Sequence, residues 1–203
     1  MNVTLLDYGA GNLTSVERAL RRLGVVSTRA SAPEPIASAE VLLLPGVGHY
    51  GTLMSALDGR ALRLPLLEAI SRGVPFLGIC LGLQALYESS EEAPALNGLD
   101  LLPGQVRALP AEVKLPHMGW NQLSIKRTSR LLANISGDAY FYFAHSYAAV
   151  DASPRDAAVA TCTHGAEFVA VLERENISAV QFHPEKSGAA GAQVLRNFLG
   201  LAA

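Results

Sequence analysis

The chain has 203 residues and a formal net charge of −2, with charged residues at 17% and hydrophobic residues at 50%, so it lacks the basic surplus of a nucleic-acid or anionic-membrane binder. A chain of this length closes a single core that buries roughly 70% of its unfolded surface, no apolar run approaches the roughly 20 residues of a membrane span, and "MNVTLLDYGAGN" has no secretory leader pattern. Two cysteines, Cys80 and Cys162, are too few for a disulfide framework, which points to a reducing, cytoplasmic compartment.

In chain order, "NVTLLDY" (residues 2–8) is a short buried-strand pattern that breaks at "GAGN", after which Leu13, Val16, Leu20 and Leu23 share one helical face up to Gly24. "VLLLPG" (41–46) and "VPFLGI" (74–79) repeat the strand pattern, the second after "RG" closes a helix. These runs are too short for buried helices and do not alternate, as expected of parallel strands covered on both faces. From about Pro103 the pattern changes. "GQVRAL", "NQLSIK", "AYFYFAHSYAAV", "DAAVATCT", "EFVAVLE" and "ISAVQF" predict successive strands in an antiparallel or mixed arrangement. A last helix carries Val194, Leu195, Phe198 and Leu199 on one face, with Ser187 as its expected N-cap. The pattern predicts one α/β domain over residues 1–203, a mixed sheet with a parallel centre flanked by helices, and functional loops at the carboxyl ends of the parallel strands.

One such end reads "GICLGLQAL" (78–86). A strand running into Gly-x-Cys-x-Gly and then a helix is the thiol counterpart of a nucleophile elbow. Gly78 and Gly82 remove side chains where the turn packs closely, and the following helix is expected to turn its positive end toward the sulfur of Cys80. The backbone N–H of Leu81 is a candidate oxyanion donor. Among five histidines, only His183 has a carboxylate at a useful spacing: in "AVQFHPEKS", Pro184 biases His183 toward extended backbone, which brings Glu185 to the same side. Cys80, His183 and Glu185 thus form a nucleophile, base and orienting acid. Cys162, inside the strand-like "AVATCT", reads as structural.

"GICLGLQ" with "FHPE" resembles the class I, triad-type glutamine amidotransferases, a flavodoxin-like α/β fold. "DYGAGNLTSV", "LPGVGHYG", "PHMGWN" and "FAHSYAAV" are similar to the glutaminase-subunit family of imidazole glycerol phosphate synthase. The resemblance implies hydrolysis of L-glutamine and delivery of ammonia to a (β/α)8 cyclase in a one-to-one heterodimer. The cyclase would make imidazole glycerol phosphate and aminoimidazole carboxamide ribotide in histidine biosynthesis. It also implies an oxyanion hole from Val47, Gly48 and Leu81, and glutamine contacts from Gln84, Glu92, Ser146 and Tyr147, with His145 lining the pocket. By residue type alone, "PGVG" is a turn and Glu92 a solvated acid. Gly11, Asn12, Met118, Gly119, Trp120, Tyr142 and Lys186 have no part in amide hydrolysis: Asn12 reads as a helix cap, Trp120 as core and Lys186 as surface charge. The resemblance assigns all seven to the cyclase-docking face. No cofactor-binding or metal-ligand pattern is present, so no cofactor, metal, nucleic acid or membrane is expected. Another synthase's glutaminase, a cysteine peptidase of related fold and a non-catalytic subunit are the competing readings.

Overall fold

A computed structural model describes residues 2–10, 12–150 and 157–201; Gly11 lies outside them. The first half alternates β1 (Asn2–Leu6), α1 (Leu13–Arg22), β2 (Val26–Ala30), α2 (Pro33–Ala37), β3 (Leu42–Gly46), α3 (Tyr50–Gly59), α4 (Arg63–Ser71) and β4 (Phe76–Cys80). A single turn, α5 (Leu81–Gln84), leads to β5 (Tyr87–Ser90) and β6 (Leu102–Ala108). Then come β7 (His117–Gln122), β8 (Ser124–Ile125), β9 (Tyr140–His145), β10 (Tyr147–Ala148), β11 (Ala158–His164), β12 (Ala166–Arg174) and β13 (Ile177–Val180). A 3-10 turn (Pro184–Lys186) and α6 (Gly188–Leu199) close the chain.

The central sheet has eight strands in the order β2-β1-β3-β4-β13-β12-β11-β8. From β2 to β13 the pairings are parallel, and from β13 to β8 they are antiparallel. Two smaller sheets flank it, one of β10, β6 and β5 and one a ribbon of β7 and β9. The change of texture read near Pro103 is therefore real: the second half supplies the antiparallel edge, the β7–β9 ribbon and most of the other flanking sheet, to which β5 adds a parallel strand. Apolar residues on alternate positions of β3 go to opposite faces. Leu42 and Leu44 join α2, α3 and α4 in one core cluster; Val41 and Leu43 join α1, α6 and the ribbon's Phe141 and Phe143 in the other. That two-sided burial is why the parallel strands read as continuous apolar runs.

Helix α1 buries Leu13, Val16 and Leu20, while α6 buries Val194, Leu195, Phe198 and Leu199, as their spacing predicts. Two local expectations change. Ser187 occupies the N-cap position of α6 without capping it through its side chain. Its Oγ instead donates to the His183 carbonyl at 2.7 Å and accepts from the Tyr142 N–H at 3.0 Å. The hydroxyl is thus engaged by the preceding turn and by β9 rather than by the local cap. The helix after Cys80 is only the four residues of α5, too short to carry a substantial macrodipole.

Strands β3 and β4 pair so that Gly46 lies opposite Cys80, and the turn leaving β4 folds back over β3. A Cβ on Gly82 would stand 2.0 Å from the Leu44 carbonyl oxygen, and one on Gly78 would stand 2.5 Å from the Gly82 carbonyl oxygen. Gly82→Ala should lower the urea midpoint by an amount equivalent to about 3 kcal/mol, because backbone, not a flexible side chain, is in the way. Gly59→Ala, at the last residue of α3 with nothing within 4 Å of its added Cβ, should leave the midpoint unchanged or raise it by up to about 1 kcal/mol.

Candidate active site

Cys80 sits at the junction of β4 and α5 with φ 55 and ψ −106, a conformation costing about 1–3 kcal/mol for a non-glycine residue. The turn places its side chain at the carboxyl end of the parallel sheet. On one side of β4, β3 ends at Gly46 and delivers Val47 and Gly48; on the other, β13 ends at Val180 and delivers His183. These neighbours meet around a cavity of about 380 Å³, which is also lined by Leu81, Gln84, Glu92, His145, Ser146 and Tyr147, and at its mouth by Asn12 and Lys186.

His183 has extended backbone, φ −100 and ψ 98, and its Nδ1 lies 2.9 Å from Glu185 Oε1. The contact expected from "HPE" is made, by a different path. Pro184 begins a 3-10 turn, and that turn, not a continuing strand, brings the carboxylate back. Both side chains are buried, at 2% exposure each. Burial opposes charge on the imidazole, but hydrogen bonds to Cys80 and Glu185 and the attraction of their charges outweigh it, lifting His183 to about 10. The ring is therefore held as an imidazolium against the sulfur, in place of the helix end that the sequence pattern suggested.

The remaining predicted residues fall into three groups. Leu81 is the first residue of α5, so its N–H has no intrahelical partner, while the Val47 N–H donates to the Tyr8 hydroxyl at 3.2 Å. Gln84 is buried, with Nε2 donating to the Tyr147 carbonyl at 2.8 Å and to Gln181 Oε1 at 3.2 Å. Glu92 accepts from the Tyr50 N–H, the first of α3, at 2.7 Å, so a structural role coexists with its place on the cavity wall. Tyr142 and Trp120 pair across β9 and β7 with an edge-on ring contact at 5.9 Å, and Lys186 Nζ lies 5.4 Å from the Tyr142 ring centroid. Met118 and Trp120 are 65% and 55% exposed, so Trp120 is no core residue; Gly119 lies between them, opposite Phe143. Asn12 precedes α1 without a side-chain cap bond.

Three further residues of the site have no site role in the sequence reading. Gln181 Nε2 lies 3.5 Å from Cys80 Sγ; a polar residue two positions before His183 in an apolar strand was the available signal. Tyr8 is buried against Val47, and burial, with the nearby Cys80 charge adding to it, pushes its phenol up to about 12. Ser187 bolts the His183 carbonyl to Tyr142. Elsewhere, burial pushes the Cys162 thiol up to about 11, in keeping with a structural role. No group of side chains suited to hold a metal occurs among the described residues, and no helix among them is long and apolar enough to cross a membrane.

The sequence model of the class-I glutamine amidotransferases matches residues 4–201. A Methanothermobacter thermautotrophicus protein named imidazole glycerol phosphate synthase subunit HisH is 50% identical over 197 residues, 97% of each chain. The chain belongs to the class-I glutamine amidotransferases, within the HisH line. The chloroplastic imidazole glycerol phosphate synthase hisHF of Arabidopsis thaliana is 44% identical over 200 residues, which span 97% of this chain and 34% of that one. A solved glutamine amidotransferase structure shares the fold, with TM-score 0.77 at 18% identity over 98% of this amidotransferase and 97% of that chain.

In the native amidotransferase at neutral pH, iodoacetamide should modify Cys80 well before Cys162, read by peptide mass spectrometry, because one sulfur faces an imidazolium and the other is buried as a thiol. Equal labelling, or preference for Cys162, contradicts the assignment of the nucleophile.

Proposed function

We propose that this chain hydrolyses L-glutamine to glutamate and ammonia through a thioester on Cys80, and hands the ammonia to a cyclase subunit of imidazole glycerol phosphate synthase. The observation that carries the chemistry is the placement of Cys80 and His183 on the wall of one cavity, with His183 Nδ1 2.9 Å from the buried Glu185 Oε1 and the imidazole raised by both partners. The Cys80 thiolate attacks the carboxamide carbon. The Leu81 N–H, with the turn of Val47 and Gly48 across the cavity, holds the oxyanion. As the tetrahedral intermediate collapses, the C–N bond breaks and His183 gives its proton to the departing nitrogen, releasing ammonia. Neutral His183 then takes a proton from water as that water adds to the thioester; the C–S bond breaks, and glutamate leaves Cys80 as a thiolate beside the recharged imidazolium. Glu185 keeps the ring oriented throughout. Gln84, Glu92, Ser146 and Tyr147 hold the amino-acid end of glutamine.

The partner reading is a one-to-one heterodimer with a (β/α)8 cyclase, docked over Asn12, Met118, Gly119, Trp120, Tyr142 and Lys186. Gly11, which the resemblance also assigns to this face, lies outside the described residues. Support comes from the exposed aromatic face of the β7–β9 ribbon beside the cavity mouth. The long Arabidopsis relative adds to it, since most of that chain lies outside the matched region. Residues 1–203 act as one amidotransferase domain, in the cytoplasm, where the thiol stays reduced.

Cys80→Ala should cut glutamine-dependent formation of imidazole glycerol phosphate by the complex at least about 10⁴-fold, while ammonium salt at alkaline pH still supports product, since the cyclase site is untouched. Glutamine turnover by this variant, or failure with ammonia although gel filtration shows the complex assembled, overturns the reading. Lys186→Glu, which removes the cation over Tyr142 and reverses charge at the mouth, should weaken cyclase binding about tenfold or leak ammonia to solvent; unchanged affinity and unchanged coupling remove it from the docking face.

A further inference from the structure

His145 stands opposite His117 where β9 pairs with β7. Its Nδ1 lies 2.9 Å from the Tyr147 carbonyl oxygen, and its Nε2 lies 3.1 Å from His117 Nδ1. A carbonyl only accepts, so His145 Nδ1 carries a proton. Burial lowers both rings, His145 to about 3 and His117 to about 4, with neighbouring histidines acting in the same direction. Each ring is therefore neutral and bears one proton. With Nδ1 protonated, His145 Nε2 accepts, and His117 Nδ1 must donate. His117 Nε2 is then an acceptor, 3.4 Å from the Asn121 amide nitrogen, which also donates to the Thr163 carbonyl at 3.2 Å. The line runs in one direction from Asn121 through two imidazoles to the Tyr147 carbonyl.

That carbonyl sits at a corner. Ser146 joins β9, which pairs with β7, to β10, which pairs with β6, and the Ser146 carbonyl accepts from the Leu109 N–H at 2.9 Å. Both Ser146 and Tyr147 line the cavity. The Tyr147 carbonyl also receives Gln84 Nε2, and Gln84 leads through Gln181 to Cys80. In the opposite His145 tautomer, a ring lone pair would face the Tyr147 carbonyl and an N–H would face the His117 N–H, so both contacts would turn repulsive. His164 and Phe143 stack on the His117 ring at 4.2 and 4.8 Å, which fixes its plane.

We propose that His117 is a positioning residue for glutamine binding: by donating to His145 it locks the Nδ1–H tautomer that holds the Tyr147 carbonyl, and with it the wall of Ser146 and Tyr147. The inference rests on the reading of this cavity as the glutamine site. It also accounts for two histidines beside one thiol with different tasks. His145, neutral and donating at Nδ1, leaves the proton-transfer role to His183.

Two substitutions separate the hydrogen bond from the packing. His117→Phe keeps a ring against His164 and Phe143 without a donor, whereas His117→Asn keeps an N–H donor at the Nδ1 position. Long-range proton–nitrogen spectra of the full chain labelled at histidine should show His145 as the Nδ1–H tautomer in wild type and in His117→Asn, and a shift toward Nε2–H in His117→Phe. In the cyclase complex, His117→Phe should raise KM for glutamine about tenfold, the size expected of one lost buried hydrogen bond, with kcat changed by less than about threefold; His117→Asn should return KM to within about threefold of wild type. The wild-type spectrum decides the tautomer without any variant. A wild type that turns over glutamine with His145 charged or in the Nε2–H form overturns the relay alone, as does a folded His117→Phe with unchanged tautomer and KM. A wild type with the Nδ1–H tautomer and no glutamine turnover overturns the glutaminase reading, and this role with it.

Discussion

Backbone closeness at one point governs the arrangement of this molecule. The Leu44 carbonyl and the Gly82 α-carbon approach so tightly that a methyl group would stand 2.0 Å from the oxygen. This contact lets the chain leave β4 in a sharp turn over β3, with Cys80 at φ 55 and its sulfur at the carboxyl end of the sheet. Once the turn is set, the strand order does the rest. Strand β3 on one flank brings Val47 and Gly48, and β13 on the other brings His183. The strain at Cys80, about 1–3 kcal/mol, is carried by the surrounding core.

The second organising influence is the unequal treatment of three buried histidines. His183 is raised because its partners are a carboxylate and a sulfur that take negative charge; His145 and His117 are lowered by burial, to which neighbouring histidines add, and the Tyr147 carbonyl that accepts from His145 offsets only part of this. Imidazoles within one region are thus sorted into one charged ring and two neutral ones by burial and by whether a negative partner stands opposite. When environments push titratable groups apart in this way, their division of labour follows.

The same ribbon that carries two of those histidines also presents the outer face of the molecule. Along β9, Phe141, Phe143 and His145 turn inward and are buried, which leaves Tyr140 and Tyr142 on the other face beside Met118 and Trp120 of β7. That outward face connects directly to His183: the His183 N–H donates to the Tyr142 carbonyl at 2.9 Å, and Ser187 joins the same two residues a second time. These hydrogen bonds tie the ribbon to the backbone that holds the imidazole.

The sequence by itself determined what depends on neighbours along the chain. The parallel strands were legible as short apolar runs, the elbow as a cysteine between glycines, and the orienting carboxylate as an acid two residues past a histidine-proline pair, because strand burial, turn sterics and local backbone bias all act within a few residues. What those patterns left open was decided by tertiary structure. Ser187, a plausible cap by position, serves the His183 carbonyl and the Tyr142 N–H. Trp120, apolar by type, lies on the exposed face of a two-stranded ribbon. The helix expected to polarise Cys80 stops after one turn, and the polarising charge comes from a residue more than a hundred positions away. Tyr8, Gln181 and the pairing of His117 with His145 take their roles from partners far along the chain. Hydrogen-bond partners and desolvation are properties of what the fold places opposite a side chain, and residues distant in sequence supply them only once the sheets have closed.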